Sequence, residues 1–218
     1  MVSGLRLLFA MGQTEGKQSS SSDGATGAPS PADAHHEKQR KMLCAMHALN
    51  NALQLTADGA DPTKLPFTQS ELDQICVTLA GGKSFNNPHR TWWGLGNYDV
   101  NVLMTAAQSR GYDVQWHDAR KELDGVDFGS LAALIVNRET GGKWYLLGAK
   151  GHHWLAIRRF AADGPFFNLD SQLKEPTPFA DEGELKAYLA GQIEAGGHLL
   201  LLTKSKPEGG EKDEEGDQ

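Results

Sequence analysis

The chain has 218 residues, a formal net charge of −7 and an apolar fraction of 39%. That length suits one domain with tails, and an acidic balance without a long basic run argues against a nucleic-acid partner. No apolar run approaches the ~20 residues of a membrane-spanning helix, and two cysteines cannot build a disulfide framework, so both are expected as reduced thiols inside the cell.

Met1 to Ala10 reads MVSGLRLLFA. Its apolar part is shorter than most signal-peptide cores and no persuasive cleavage site follows, so it reads as a poorly ordered tail, with a cryptic targeting segment as the alternative. Gly12 to Ala34 is rich in Ser, Gly, Ala and Pro and reads as a disordered linker. The next six residues, HHEKQR, invite a metal reading through His35 and His36. Cys44 and His47 follow three apart, but no second pair completes a zinc set. No metal and no cofactor is expected, and the segment reads as a solvated approach to a helix.

That helix is KMLCAMHALNNALQ, Lys41 to Gln54. Ala45, Ala48, Leu49, Ala52 and Leu53 recur at the spacing of a core-facing helical stripe, with Asn50 and Asn51 on other faces. Cys44 falls where the stripe begins. A free thiol titrates near ~8.5, and the unpaired N–H groups and dipole of a first helical turn favour its anion. The thiolate is the nucleophile, so the position suits a cysteine that attacks something; a buried cysteine that merely packs is the competing reading.

After a polar loop, Thr56 to Pro66, Thr68 and Glu71 form a T-x-x-E capping box ahead of a helix carrying Leu72, Ile75, Cys76 and Leu79. Cys76 lies inside that apolar face and reads as core. Gly81 and Gly82 end the helix. An irregular stretch follows, with Trp92 and Trp93 as partner-contacting or anchoring aromatics. Asn97 or Asp99 caps a third helix, closed by Gly111.

The period then changes. Tyr112 to Trp116, Leu131 to Asn137, Trp144 to Leu147, Gly151 to Phe160, Pro165 to Asp170 and His198 to Thr203 read as strands. Asp181 and Glu184 open a last helix closed by Gly196. The charged residues after Lys204 read as a solvated tail. Three helices, a sheet, a helix and a closing strand argue an α+β fold.

A thiol nucleophile wants an imidazole to hold its proton, and the imidazole wants an acceptor on its other nitrogen. The segments GHHWLAIRRF and FFNLDS supply candidates for both. With an even number of residues in the connecting loop, Leu155 lies opposite Asp170, and His153 shares the face of Asp170 as its diagonal neighbour. An odd loop turns His152 to that face instead, because a one-residue slip flips every side chain. Gln39, five residues before Cys44, and the Cys44 N–H are candidate donors to a developing oxyanion.

Taken together, HEKQRKMLCAMHALNNALQ, GNYDVNVLMTAAQSRGYDVQWHDAR, GHHWLAIRRF and FFNLDSQLKEP resemble the Josephin domain, a papain-like cysteine protease domain of eukaryotic deubiquitinases. The resemblance covers roughly His35 to Lys204, between an N-terminal extension (1–34) and an acidic tail (205–218). It implies a helical half packed on a mainly antiparallel sheet. It matches Cys44 to the nucleophile, His153 to the general base, Asp170 to the third member and Gln39 to the oxyanion-hole glutamine. It further implies hydrolysis at the C-terminal glycine of ubiquitin, with ubiquitin and ubiquitinated proteins as partners, a monomer, and a cytoplasmic location with the nucleus as a second compartment. The ataxin branch of the family continues into ubiquitin-interacting helices; here an acidic tail stands instead, so tight chain-selective binding through such helices is not expected. The alternatives are a ubiquitin-binding module of low or no activity and a thiol enzyme for another ubiquitin-like modifier.

Overall fold

The computed structural model describes residues 34–55, 65–90, 97–140, 151–161 and 163–206. The N-terminal extension, most of the loop after the first helix, Trp92 and Trp93, the strand expected at Trp144 to Leu147 and the end of the tail lie outside the described residues.

Among the described residues, four α-helices and a six-stranded antiparallel sheet form the fold: α1 (Cys44–Leu53), α2 (Gln69–Leu79), α3 (Val100–Ser109), β1 (Tyr112–Trp116), β2 (Ala133–Thr140), β3 (Gly151–Arg159), β4 (Phe166–Asn168), β5 (Thr177–Pro178), α4 (Glu182–Glu194) and β6 (His198–Lys204). The strand order is β1-β6-β2-β3-β4-β5. The α+β expectation is met.

The helix starts follow from side-chain caps. Thr68 accepts from the Glu71 N–H while Glu71 accepts from the Thr68 N–H, a complete capping box. Asp99 accepts from the N–H groups of Asn101 and Val102, so Asp99 and not Asn97 caps α3. Asp181 accepts from the Glu184 N–H. Gly81, Gly111 and Gly196 adopt positive φ where α2, α3 and α4 end, a region open to glycine at no steric cost.

Successive strand residues point to opposite faces, and both faces are covered. Ala133, Ile135, Trp154, Ala156, Leu200 and Leu202 pack with residues of α1, α2 and α3. Leu134, Val136, Leu155, Ile157, Leu199 and Leu201 pack with Leu185 and Leu189 of α4 and with Phe166 and Phe179. The helices therefore sandwich the sheet, with α4 alone on the second face. Apolar runs such as Leu134 to Val136 are continuous because each strand buries both sides.

Helix α1 is buried on all sides except at Met46. Asn50 and Asn51, which fall outside the apolar stripe, are also buried, at 1% and 0% exposed. What covers them is the segment before the helix, and that segment builds the site.

Candidate active site

Cys44 is the first residue of α1, and its N-cap, Leu43, offers no side-chain acceptor. The N–H groups of that first turn are thus left without a side-chain cap, at the positive end of the helix dipole. Cys44 itself is 5% exposed. Immediately upstream, Lys41 adopts φ of +54°. This turn sends the chain from the arm 35–40 back into the helix.

The arm is pinned at both ends. Its key residue is Glu37, whose carboxylate accepts from His47 Nδ1 (2.7 Å) and from Asn50 Nδ2 (3.0 Å to each oxygen). His47 Nε2 in turn accepts the Arg40 N–H at 3.1 Å. That acceptance fixes the neutral tautomer with its proton on Nδ1. Burial alone would raise the Glu37 pKa; donors from His35, His47 and Asn50 outweigh it and hold the carboxylate down at about 2. Asn51 Oδ1 accepts the Glu37 N–H at 2.6 Å, and Asn51 Nδ2 donates to Leu169 O at 2.9 Å. The histidines read as a solvated approach are instead structural braces. His36 Nε2 donates to Asp170 O at 2.9 Å, and His35 contacts Glu37 at 3.2 Å. Among the described residues no group of three or more His, Cys, Asp or Glu side chains is gathered to hold a metal ion.

The same bracing delivers Gln39 to the mouth of the site. Its N–H donates to Ser171 O at 2.9 Å. Its side chain accepts from Gln172 Nε2 at 3.1 Å and donates to Lys41 O at 3.1 Å. The side-chain amide is an NH₂ with two hydrogens, so one donor remains after the bond to Lys41 O.

On the sheet side, β3 pairs with β4 through Ile157 opposite Asn168 and Arg159 opposite Phe166. Residues 160–165 separate the paired ends, an even number, and the register carries forward to Leu155 opposite Asp170. His153 and Asp170 thus share a face. His153 Nε2 lies 2.7 Å from Asp170 Oδ1, with the side chains 3% and 4% exposed. His152 bonds elsewhere, through Nδ1 to Asn137 Oδ1 at 3.1 Å. Asp170 takes Nε2, so a thiol can be served only by the other nitrogen of His153, Nδ1, which has the Gln172 side-chain amide nitrogen 3.3 Å away.

The electrostatics follow. Burial pulls the His153 imidazole pKa down, but hydrogen bonds with Asp170 and then with Cys44 reverse this and push it up to about 9. Burial would raise Asp170; hydrogen bonds from His153 and the Gln172 N–H hold its carboxyl below the usual range. Cys76 is different in kind. It is fully buried in α2, and burial, with the charge of Asp73, pushes its thiol up to about 11.

The structure therefore brings Cys44, His153, Asp170 and Gln39 to one place. Sequence reasoning missed Glu37 and Arg138, whose Nη2 donates to Asp170 Oδ2 at 3.0 Å, and weighed His47 only as a metal ligand, whereas Glu37 and His47 together lock the arm. The spacing of Glu37 and His47 carries no helical or strand period, and Arg138 lies at the end of a strand.

The Josephin family model matches residues 39–203. Human Josephin-2 is 40% identical over 186 residues, 84% of this chain and 93% of that protein. A Josephin-like protein of Drosophila melanogaster is 38% identical over 175 residues, 79% of this chain and 74% of its own length. Ataxin-3 of Gallus gallus is 25% identical over 179 residues, 78% of this chain but 44% of that longer protein. With the family model matched over most of its length and a relative 40% identical over 84% of it, the chain belongs to the Josephin family.

Proposed function

We propose that this protein is a thiol-dependent deubiquitinase that hydrolyses the peptide or isopeptide bond after the C-terminal glycine of ubiquitin. Membership of the Josephin family supports a deubiquitinase-type hydrolase. The observation that carries the finer reading is His153, held by Asp170 on Nε2 and hydrogen-bonded to Cys44, with its pKa raised to about 9. At neutral pH that imidazole is charged and holds the proton that a departing amine requires.

In this reading the Cys44 thiolate attacks the glycine carbonyl. The Gln39 amide and the Cys44 N–H meet the oxyanion, where one donor is worth ~3 kcal/mol. His153 gives its proton to the departing lysine amine and leaves a thioester on Cys44. Neutral His153 then takes a proton from water, which adds to the thioester and releases the ubiquitin carboxylate, regenerating the thiol pair. Asp170 holds the ring in the tautomer and orientation that both steps use. No cofactor enters. The partners are ubiquitin and ubiquitinated proteins, the working form is a monomer and the compartment is the cytoplasm, with the nucleus in addition. Among the described residues no helix is long and apolar enough to cross a membrane.

The test is cleavage of a fluorogenic ubiquitin C-terminal amide in reductant, with wild type beside Cys44→Ala and His153→Ala, and capture by an electrophilic ubiquitin probe. Turnover and capture in wild type, both lost in folded Cys44→Ala, support the reading. Absence of both in wild type overturns it in favour of a ubiquitin-binding module. Capture by probes of other modifiers alone would move the substrate to another ubiquitin-like protein.

A further inference from the structure

We infer that Arg138 is a fourth member of this site, a positioning residue that fixes the carboxylate of Asp170 in the plane His153 requires. The inference rests on the reading of Cys44, His153 and Asp170 given above.

The argument starts from the strand register. Arg138 of β2 stands directly opposite His153 of β3. In an antiparallel pair, opposed residues project from the same face. Asp170 lies on that face too, one strand further on, past the end of β4. The long Arg138 side chain spans the row, and its Nη2 reaches Asp170 Oδ2 at 3.0 Å.

The two oxygens of Asp170 are held by different groups. Oδ1 accepts from His153 Nε2 at 2.7 Å and from the Gln172 N–H at 2.9 Å. Oδ2 accepts from Arg138. The torsion about the Cβ–Cγ bond of aspartate is soft and broadly twofold. A carboxylate held through one oxygen swings about that contact, whereas one held through both is fixed. The fixed plane aims the Oδ1 lone pair at His153 and so sets the direction in which the far nitrogen, Nδ1, points.

Burial says why a cation holds this position. The Asp170 side chain is 4% exposed and Arg138 is 32% exposed. A sealed carboxylate oxygen without a donor would be costly. A guanidinium keeps part of its hydration while delivering a charge-assisted N–H inward. Arg138 touches no reacting atom: it acts through Asp170, and Asp170 acts through His153.

The experiment uses the full chain with Arg138→Met, which removes charge and donor but keeps length, and Arg138→Lys, which keeps charge and one donor. Steady-state kcat and KM for the fluorogenic ubiquitin amide are measured beside the downfield proton resonance of His153 Nε2–H, assigned by its absence in His153→Gln. Thermal midpoints check that each variant is folded. The expected result for Arg138→Met is a fall in kcat of about tenfold, a fraction of the ~10²–10⁴ that a general acid–base supplies. KM stays within about twofold, and the resonance broadens or moves upfield. Arg138→Lys recovers most of both. Wild-type kcat with an unmoved resonance in Arg138→Met overturns the inference. So does a loss of kcat that tracks the thermal midpoint while the resonance stays in place, since that is a merely structural role. Should the wild type show no turnover, the proposed activity fails, and the resonance in the two variants still decides the role of Arg138.

Discussion

The His153 imidazole and the Asp170 carboxylate meet at 2.7 Å in a site that seals both side chains from solvent. Their pH behaviour follows from which form each state favours. Burial lowers the His153 pKa, but the bonds with Asp170 and Cys44 raise it to about 9, above the ~6.5 of an unfolded histidine. The folded state therefore binds the proton more tightly. The resulting stability is fully present below ~6.5 and is lost as pH rises through about 9. Asp170 works in the opposite sense. Its pKa is depressed, so its contribution is present above the unfolded value of ~3.9 and is lost as pH falls through the lower folded value. Urea midpoints should decline on the alkaline side between about pH 6.5 and 9 and on the acid side only below about pH 4. His153→Ala should flatten the alkaline decline, and an unchanged decline in that variant would count against the ion pair. The kcat/KM of the wild type should fall above about pH 9 as the imidazolium is lost.

The two cysteines should react very differently. Cys44 lies beside His153 at the start of α1, whereas Cys76 is fully buried, with Sγ 3.7 Å from His89 O and a pKa near 11. A thiol of that pKa is ionised to only about 10⁻⁴ at pH 7, and the thiolate is the reactive form. Iodoacetamide at pH 7 should therefore modify one thiol in the native protein, at Cys44, and two in urea. Peptide mapping checks the position. Comparable native labelling at Cys76 would contradict its burial.

Much of this was legible in the sequence, and the rest was hidden for identifiable reasons. The Thr68 and Asp181 caps and strand β1 are local, and they form as their residues dictate. The choice between His152 and His153 was conditional. It turned on the parity of one loop, and the observed Arg159 to Phe166 pairing makes that loop even. The position of α4 across the sheet was hidden because an apolar run states that a strand is buried, not which helix covers which side. Strand β5 has two residues, Thr177 and Pro178, too few to carry a period. The burial of His47, Asn50 and Asn51 was hidden because periodicity places only the apolar stripe of a helix against a core. They are sealed only because the arm 35–40 folds over them, a tertiary event with no local signal.

That arm gives a sharper prediction. His47 Nε2 accepts the Arg40 N–H, so His47 Nδ1 must donate to Glu37. Glu37→Gln keeps the shape but can present an amide NH₂ to this donor, while the Arg40 N–H blocks the other tautomer. An unmatched buried donor costs about 1–3 kcal/mol. Glu37→Gln should lower stability by about that amount and slacken the arm that carries Gln39, so kcat falls as well. The depressed Glu37 pKa fixes the sign with pH: its contribution holds above ~4.5 and disappears as pH falls through about 2. Urea denaturation at pH 7 with parallel turnover is the check; a change in stability below ~0.5 kcal/mol would remove the tautomer argument.

Asn51 joins the two halves of the site. Its Oδ1 takes the Glu37 N–H, and its Nδ2 reaches Leu169 O, one residue before Asp170. The side chain is fully buried, and the Leu169 carbonyl it serves is buried with it. Asn51→Leu matches the volume but strands both groups, at a cost of about 2–4 kcal/mol. Asn51→Asp should be worse. Its carboxylate still accepts from Glu37, but it turns an acceptor toward the Leu169 carbonyl and buries a charge without a counterion. The order wild type, Asn51→Leu, Asn51→Asp in urea midpoint is the expected result. The reverse order of the two variants would mean that the Glu37 N–H, and not the Leu169 carbonyl, dominates the join.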